Sequence, residues 1–301
     1  MAFLVELSLF PIEHKRPMTR VSSLFRKLYY RIKGKRWWHN RVYPSDFKVE
    51  PTPDQNLIMT YKGNRVQVQT VDVLSNAFVE RSMHVILSGP SIKEIRDPVR
   101  LTREFCFAVN GSAALFDAQN LSYDAYIADD PGFVKQRATD VVRYAAKAQY
   151  CFFSYRTIFL LLAQGFDLSG LNIYVFDYRF MPFRRRRDLE LAPFFAKTLT
   201  DGIALCDSVV YIVLQLAYGM GFNKIALFGM DLSMSGRFYA EQKAQPQFLD
   251  HHWQTGIVAP LTLVGDMVHN NEWQVINCSI NSRLDHAILP KCDANDYLAA
   301  L

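Results

Sequence analysis

The sequence HVILSGPSIKEI at residues 84–95, followed by FAVNGS at 107–112, decides the fold. Val85, Ile86 and Leu87 make an unbroken apolar run, the mark of a strand covered on both faces. Ser88, Gly89, Pro90 and Ser91 follow as a tight turn. Gly89 lets the backbone come close to a ligand. Pro90 suits the first turn of a short helix, where its missing N–H costs nothing. Ser91 and the N–H groups beside it can face an anion such as phosphate. A second strand over 105–109 delivers Asn110, Gly111 and Ser112 to the same edge, and the carboxyl edge of an open α/β sheet is where ligands bind. A strand–turn–helix without a ligand has the same pattern, so the turn gains meaning from what the rest of the chain brings to that edge.

Outward from this stretch the chain alternates helices and strands. Residues 113–120 read as a helix. A short strand at 125–128 ends in Asp129, Asp130 and Pro131, a helix spans 133–148, and strands follow at 150–154 and 172–178. The strongly apolar 208–221 reads as a buried helix, with Asp207 or Ser208 as N-cap and Gly219 or Gly221 as stop. The strand at 224–228 ends in Gly229, Met230, Asp231 and Leu232, ahead of a turn carrying Arg237 and Tyr239. A last strand covers 274–278, and 286–301 reads as a peripheral tail. This rhythm predicts an α/β fold: a Rossmann-like, mainly parallel sheet with helices on both faces. Residues 179–200 break it. They hold Arg184, Arg185, Arg186 and Arg187 between Pro182 and Pro193, and read as a small lid near the ligand edge.

Residues 1–80 read as a basic N-terminal extension ahead of a main domain at 81–301. Within it, 21–35 fits an amphipathic helix with Leu24, Phe25, Leu28, Tyr29 and Ile32 on one side and Arg26, Lys27, Arg31 and Lys33 elsewhere. With Trp37 and Trp38 next to it, such a helix can lie at a membrane surface or pack on the domain with its basic face solvated. Residues 56–72 read as a hairpin turning at Gly63 and Asn64. The chain has 301 residues, is 50% hydrophobic and 21% charged, and has a net charge of +5 gathered in these basic stretches. They favour anionic partners. The N-terminus lacks the basic start and cleavage site of a signal peptide, and the apolar runs are too short to span a bilayer. Five cysteines are scattered without CxxC or Cys/His zinc spacing, and their odd count argues against a disulfide framework and for a reducing cytoplasm.

No GxGxxG follows a strand, no GxxxxGK[ST] is present, and no Asp-x-Asp stands at a strand end. The motifs SGPS at 88–91, AVNGS at 108–112 and GMDLSMSGRFY at 229–239 resemble those of bacterial lipopolysaccharide-core transferases that add the third Kdo, 3-deoxy-manno-octulosonic acid. More distantly they resemble the bacterial sialyltransferases of glycosyltransferase family 42. The likeness runs from about 84 to 283 and leaves the first eighty residues uncovered.

The resemblance implies a GT-A-variant, sialyltransferase-like fold with a small lid, and an inverting, metal-independent glycosyltransferase without cofactor. The donor it implies is CMP-Kdo and the acceptor a lipopolysaccharide core or lipid A-linked glycan, with no nucleic-acid partner. CMP-sialic acid or another CMP-ulosonate is the alternative donor, and a non-catalytic nucleotide- or glycan-binding module the alternative class. By the same resemblance, Ser88, Gly89, Pro90, Ser91, Asn110, Gly111 and Ser112 surround the CMP phosphate and ribose. Asp130 stands where the sialyltransferases have a donor-contacting Asn, and Ser208 matches a Ser near the donor carboxylate. Tyr239 matches one of two tyrosines on the leaving phosphate, and Ser233 replaces the other. Leu205 stands where the family has an Arg. Asp231 and Ser233 are expected among the donor-binding residues, with Asp231 organising its strand end rather than acting as a base. The resemblance further implies a general base at His251 or His252, where a neutral imidazole can take the acceptor hydroxyl proton. Arg184 to Arg187 and the basic helix would engage acceptor phosphates and the inner face of the inner membrane, placing the chain peripherally in the cytoplasm.

Overall fold

A computed structural model describes residues 25, 43, 44, 46–178, 194–204, 206–233, 236–239 and 253–301. The chain divides into two compact units, Met1–Ser45 and Asp46–Leu301. Of the basic stretch 21–35, only Phe25 is among the described residues; it is helical and exposed.

The larger unit is built on a ten-stranded sheet, ordered β1-β2-β3-β8-β7-β6-β5-β4-β9-β10. Its strands are β1 Lys48–Pro51, β2 Leu57–Tyr61, β3 Asn64–Thr70, β4 Ser82–Ile86, β5 Phe105–Val109, β6 Ala125–Ile127, β7 Tyr150–Ser154, β8 Ile173–Phe176, β9 Lys224–Phe228 and β10 Gln274–Asn277. All neighbours from β3 to β10 pair in parallel, and the antiparallel pairs are β1–β2 and β2–β3. The parallel strands are apolar at nearly every position because both faces are covered. β5 is buried throughout, whereas edge strand β1 buries only Val49.

Alternate residues face opposite layers. Val85, Phe107, Ile127, Phe152 and Leu227 join one core with helices α5 Val209–Met220 and α6 Ala259–His269. On the other face Tyr126 meets Tyr144, and the Cys151 thiol donates to the Ala145 carbonyl, both on α3 Ala138–Ala145. His84 packs against Tyr297 of the C-terminal helix α7 Ala294–Ala299. Further α-helices among the described residues are α1 Ala113–Gln119, α2 Pro131–Gln136 and α4 Tyr155–Ala163.

The mainly parallel α/β sheet is as expected, and several elements differ in detail. The hairpin turns at Lys62 and Gly63, with φ of 47° and 87°, not at Gly63 and Asn64; positive φ at both central residues matches the twist of the strands. β1 to β3 belong to the main sheet, so the larger unit begins at Asp46 rather than residue 81. The turn after β4 continues as two short 3-10 segments, Pro90–Glu94 and Pro98–Thr102, not as an α-helix. The helix expected over 133–148 is two, α2 and α3, parted at Arg137 where φ and ψ are −127° and 34°. The tail after 286 is packed rather than peripheral: Leu289 and Leu298 are buried, and Lys291 bridges to Asn277 of β10. Of the expected lid, 179–193 lie outside the described residues. Residues 194–200 are anchored to the core through buried Phe195, Ala196 and Leu199.

Candidate functional site

The strand order reverses at β4. β5 to β8 succeed one another on one side of it, and β9 and β10 lie on the other. At such a switch point the loops after the strands splay apart and leave a crevice at the carboxyl edge. A cleft of about 670 Å³ opens there. Among the described residues it is walled by Ser88 to Pro90 after β4, Asn110 after β5, Asp129 and Asp130 after β6, and Met230 to Ser233 after β9. Ser208 and Val209 at the start of α5 close the far side, with Arg156 and Arg237.

The floor is a knot of three strand ends. Gly89 N–H donates to the Gly229 carbonyl at 2.9 Å. A Cβ on Gly89 would stand 1.8 Å from Asp231 Oδ2, so only glycine lets the β4 and β9 loops meet. Asp231 accepts from the Ser91 backbone N–H at 3.2 Å and from its hydroxyl at 2.9 Å. Asp231 thus ties the end of β9 to the turn after β4. The same bonds correct the expectation for Ser91: the anion its N–H meets is the chain's own carboxylate, and Ser91 faces a second, smaller cavity. Ser279 extends the knot, its hydroxyl accepting from Met230 N–H at 2.9 Å.

After β5, Asn110 sits in the left-handed region at φ 51° and accepts from Asp129 N–H through Oδ1 at 3.2 Å. Gly111 and Ser112 do not line the cleft, contrary to their expected donor contacts. Ser112 is fully buried, donating to the Ile86 carbonyl at 2.6 Å and accepting from Val109 N–H at 2.8 Å; it clips β5 to β4. Gly111 makes room for Tyr239, whose ring would lie 2.3 Å from a Cβ there.

Asp130 lines the cleft, but its Oδ1 caps α2 by accepting from Gly132 and Phe133 N–H at 2.7 and 3.2 Å. Its Oδ2 lies 3.9 Å from Arg237. Arg237 donates to the Tyr239 hydroxyl at 2.6 Å, and Arg137 stacks on that ring at 5.5 Å. Phe238 N–H donates to the Ser88 carbonyl, which pins 236–239 over the β4 turn. Ser208 stands at the N-cap position of α5 and lines the cleft without a side-chain cap bond, so the helix start opens into the cavity. Ser233 lines both cavities.

The sequence reading did not single out Arg156, Asp129 or Arg237 as site residues. Asp129 is 2% exposed; Arg156 contacts its carboxylate at 3.2 Å and its carbonyl at 3.0 Å, and Tyr178 donates to the same carboxylate. Burial pushes the Asp129 carboxyl up from its ordinary range, against the pull of Arg156. Arg156 is the second residue of α4, directly after β7, so the strand-end rule that found Asp130 could have found it too. Among the described residues no cluster of three or more His, Cys, Asp or Glu is placed to hold a metal ion, and no helix is long and apolar enough to cross a membrane. His251, His252, Leu205 and Arg184 to Arg187 lie outside the described residues.

No protein-family model matches the chain. It is similar to a probable 3-deoxy-manno-octulosonic acid transferase of Escherichia coli K12, at 24% identity over 183 residues. That match covers 53% of this chain and 64% of the relative, so the chain spans less than two thirds of the curated relative it matches. Among solved structures it is similar to the sialyltransferase CstII from Campylobacter jejuni, in complex with CMP-3FNeuAc, at 14% identity and a TM-score of 0.42. That likeness covers 72% of this chain and 88% of the other. It is also similar to the MAf glycosyltransferase from Magnetospirillum magneticum AMB-1, at 15% identity and a TM-score of 0.41, covering 72% and 34%.

Proposed function

We propose that the chain is an inverting glycosyltransferase that moves Kdo from CMP-Kdo to a lipopolysaccharide-core acceptor. The observation that carries this reading is the cleft at the β4/β9 switch point, where the Ser88–Pro90 turn, Asn110, the start of α5 and Arg237 converge, with Tyr239 behind Arg237 as its hydrogen-bond partner. The Kdo transferase similarity supplies the donor class.

The N-terminus of α5 favours an anion, either the donor carboxylate or its phosphate. Because the Tyr239 oxygen accepts from Arg237, its own proton is directed elsewhere, which suits donation to the departing phosphate oxygen. In the proposed step an acceptor hydroxyl attacks the anomeric carbon as the bond to the CMP phosphate oxygen breaks. His251 or His252 takes the hydroxyl proton. Metal independence is part of the proposal. Its support is that Asp129, Asp130 and Asp231 are engaged by Arg156, by the α2 N-terminus and by Ser91. Arg184 to Arg187 and Arg26, Lys27 and Arg31 are proposed to hold the chain on anionic inner-membrane lipid.

The test is CMP release from CMP-Kdo generated in place, compared with CMP-sialic acid, each with and without deacylated core oligosaccharide and with and without EDTA. Acceptor-dependent release from CMP-Kdo that survives EDTA and is abolished by His251→Ala/His252→Ala supports the reading. Release from CMP-sialic acid alone moves the donor, and release from neither overturns transferase activity on these donors. Co-sedimentation with anionic vesicles tests the membrane part; pelleting that survives neutralising those arginines and Lys27 overturns it.

A further inference from the structure

The chain's five cysteines are all free, and two of them meet. Cys278 follows β10, and Cys292 lies in the packed C-terminal segment. Their sulfurs are 3.5 Å apart, within reach of an S–H···S hydrogen bond. The backbones are held in register by the parallel bridge between Asn277 and Lys291, so Cys278 and Cys292 are the next pair along it. Asn277 N–H donates to the Pro290 carbonyl at 2.9 Å and Cys292 N–H to the Asn277 carbonyl at 3.1 Å, fixing both sides of the pair. Cys278 also lines the second cavity, of about 270 Å³, with Asp231, Ser279 and Asp293.

We propose that Cys278 and Cys292 are a redox-active dithiol, which a hydroperoxide converts to a disulfide joining the C-terminal segment to the end of β10. Nothing in the transferase reading requires it. The pair is polarised: the hydrogen bond the two sulfurs share pulls the Cys292 thiol below its ordinary range, while that bond and burial push Cys278 up. Cys292, half-buried, is therefore the attacking sulfur. Its thiolate attacks one oxygen of hydrogen peroxide, the O–O bond breaks, and the departing hydroxide takes a proton from solvent as the sulfenic acid forms. The Cys278 sulfur then attacks the sulfenic sulfur, the S–O bond breaks, and water leaves with the thiol's proton. Two thiols lose two electrons and one peroxide becomes two waters. The other cysteines are poorer candidates. Burial pushes Cys151 and Cys206 up to about 12 and raises Cys106 well above its ordinary range.

Intact protein is treated with a small excess of hydrogen peroxide, alkylated and digested without reductant, and its peptides are read by mass spectrometry. The expected result is a single cross-linked peptide pair carrying Cys278 and Cys292, loss of two of the five alkylatable thiols, and full recovery with dithiothreitol. Oxidation should also raise the melting temperature reversibly in the native chain and leave Cys292→Ser unchanged. In Cys278→Ser, Cys292 should stop at a sulfenic acid trapped by dimedone; if that buried variant fails to fold, Cys292→Ser carries the comparison. Retention of all five thiols, a cross-link between other cysteines, or over-oxidation of Cys292 with Cys278 still alkylatable overturns the proposal.

Discussion

Gly89 shows how one residue can be required for space rather than for conformation. Its φ of −66° is open to any amino acid, but a methyl group there would strike the Asp231 carboxylate and, at 2.5 Å, the Gly229 carbonyl. Gly89→Ala is expected to cost about 1–3 kcal/mol in chemical denaturation and to weaken CMP binding; unchanged values for both would show that the loops part freely. Tyr239→Phe keeps the ring against Gly111 and removes the hydroxyl that Arg237 polarises. On the proposed reading it lowers kcat by about a hundredfold or more with little change in stability. A drop in KM affinity alone would instead make Tyr239 a binding residue. His84 lies fully buried in β4, Nδ1–H on the Leu101 carbonyl at 2.9 Å, and burial lowers its pKa from 6.5 to about 4. The unfolded chain protonates His84 first as pH falls, so folding stability declines from about pH 6.5 to about 4, by about 3 kcal/mol, and then levels. His84→Leu should flatten that part of the stability profile measured by urea titration; an unchanged slope would assign it to other groups. Residue types at strand ends were readable because the sheet edge collects them. That Ser91 and Ser112 are taken up internally was not, since their partners, Asp231 and Ile86, lie 140 and 26 residues away.

At the scale of elements, α5 carries the larger core and also opens the cleft. Its apolar run was legible, and so was its stop: Gly221 at φ 92° closes it with bonds to the Ala217 and Tyr218 carbonyls. Gln215 was not legible as anything but a polar interruption. In the folded chain it is fully buried, its Oε1 accepting from Ala196 and Ala204 N–H and its Nε2 donating to the Ala204 and Tyr211 carbonyls. One side chain therefore stitches 194–204 to the helix. Gln215→Leu keeps the volume and strands two buried N–H groups, so it should destabilise by about 2–4 kcal/mol and raise protease cleavage in 194–204; a neutral result would mean that water replaces the amide. α4 was missed because its run, YRTIFLLLA, is apolar on most positions and too short to show a helical period. With it went Arg156, although Ser154 accepts from Thr157 N–H as a regular N-cap.

At the scale of the molecule, the reversal of strand order between β4 and β9 places the cleft, and the strand sequence alone could not give that order. Nor could it show that β3 pairs in parallel with β8, because Gln69 and Thr70 meet Tyr174 and Val175 across about a hundred residues of chain. The hairpin was legible as a local object through its turn, and its place in the sheet was not. That distinction sets where the chain can be cut. Removing residues 1–45 leaves every strand in place, and Phe47, Tyr61 and Phe159 keep the edge-to-face cluster that joins the hairpin to α4. Removing 1–80 takes away β1 to β3, together with Val71, Leu74 and Phe78, whose side chains are buried in the main core; Phe78 stacks on Phe222 at 4.9 Å. It also leaves β8 as an unpaired edge on which Ile173, Tyr174, Val175 and Phe176 are all apolar, a template for aggregation. The chain cut before Asp46 is therefore expected to be soluble and monodisperse by size-exclusion chromatography and to melt cooperatively. The chain cut before residue 81 should aggregate. Equal behaviour of the two truncations would show that the first three strands are dispensable and return the domain boundary to residue 81.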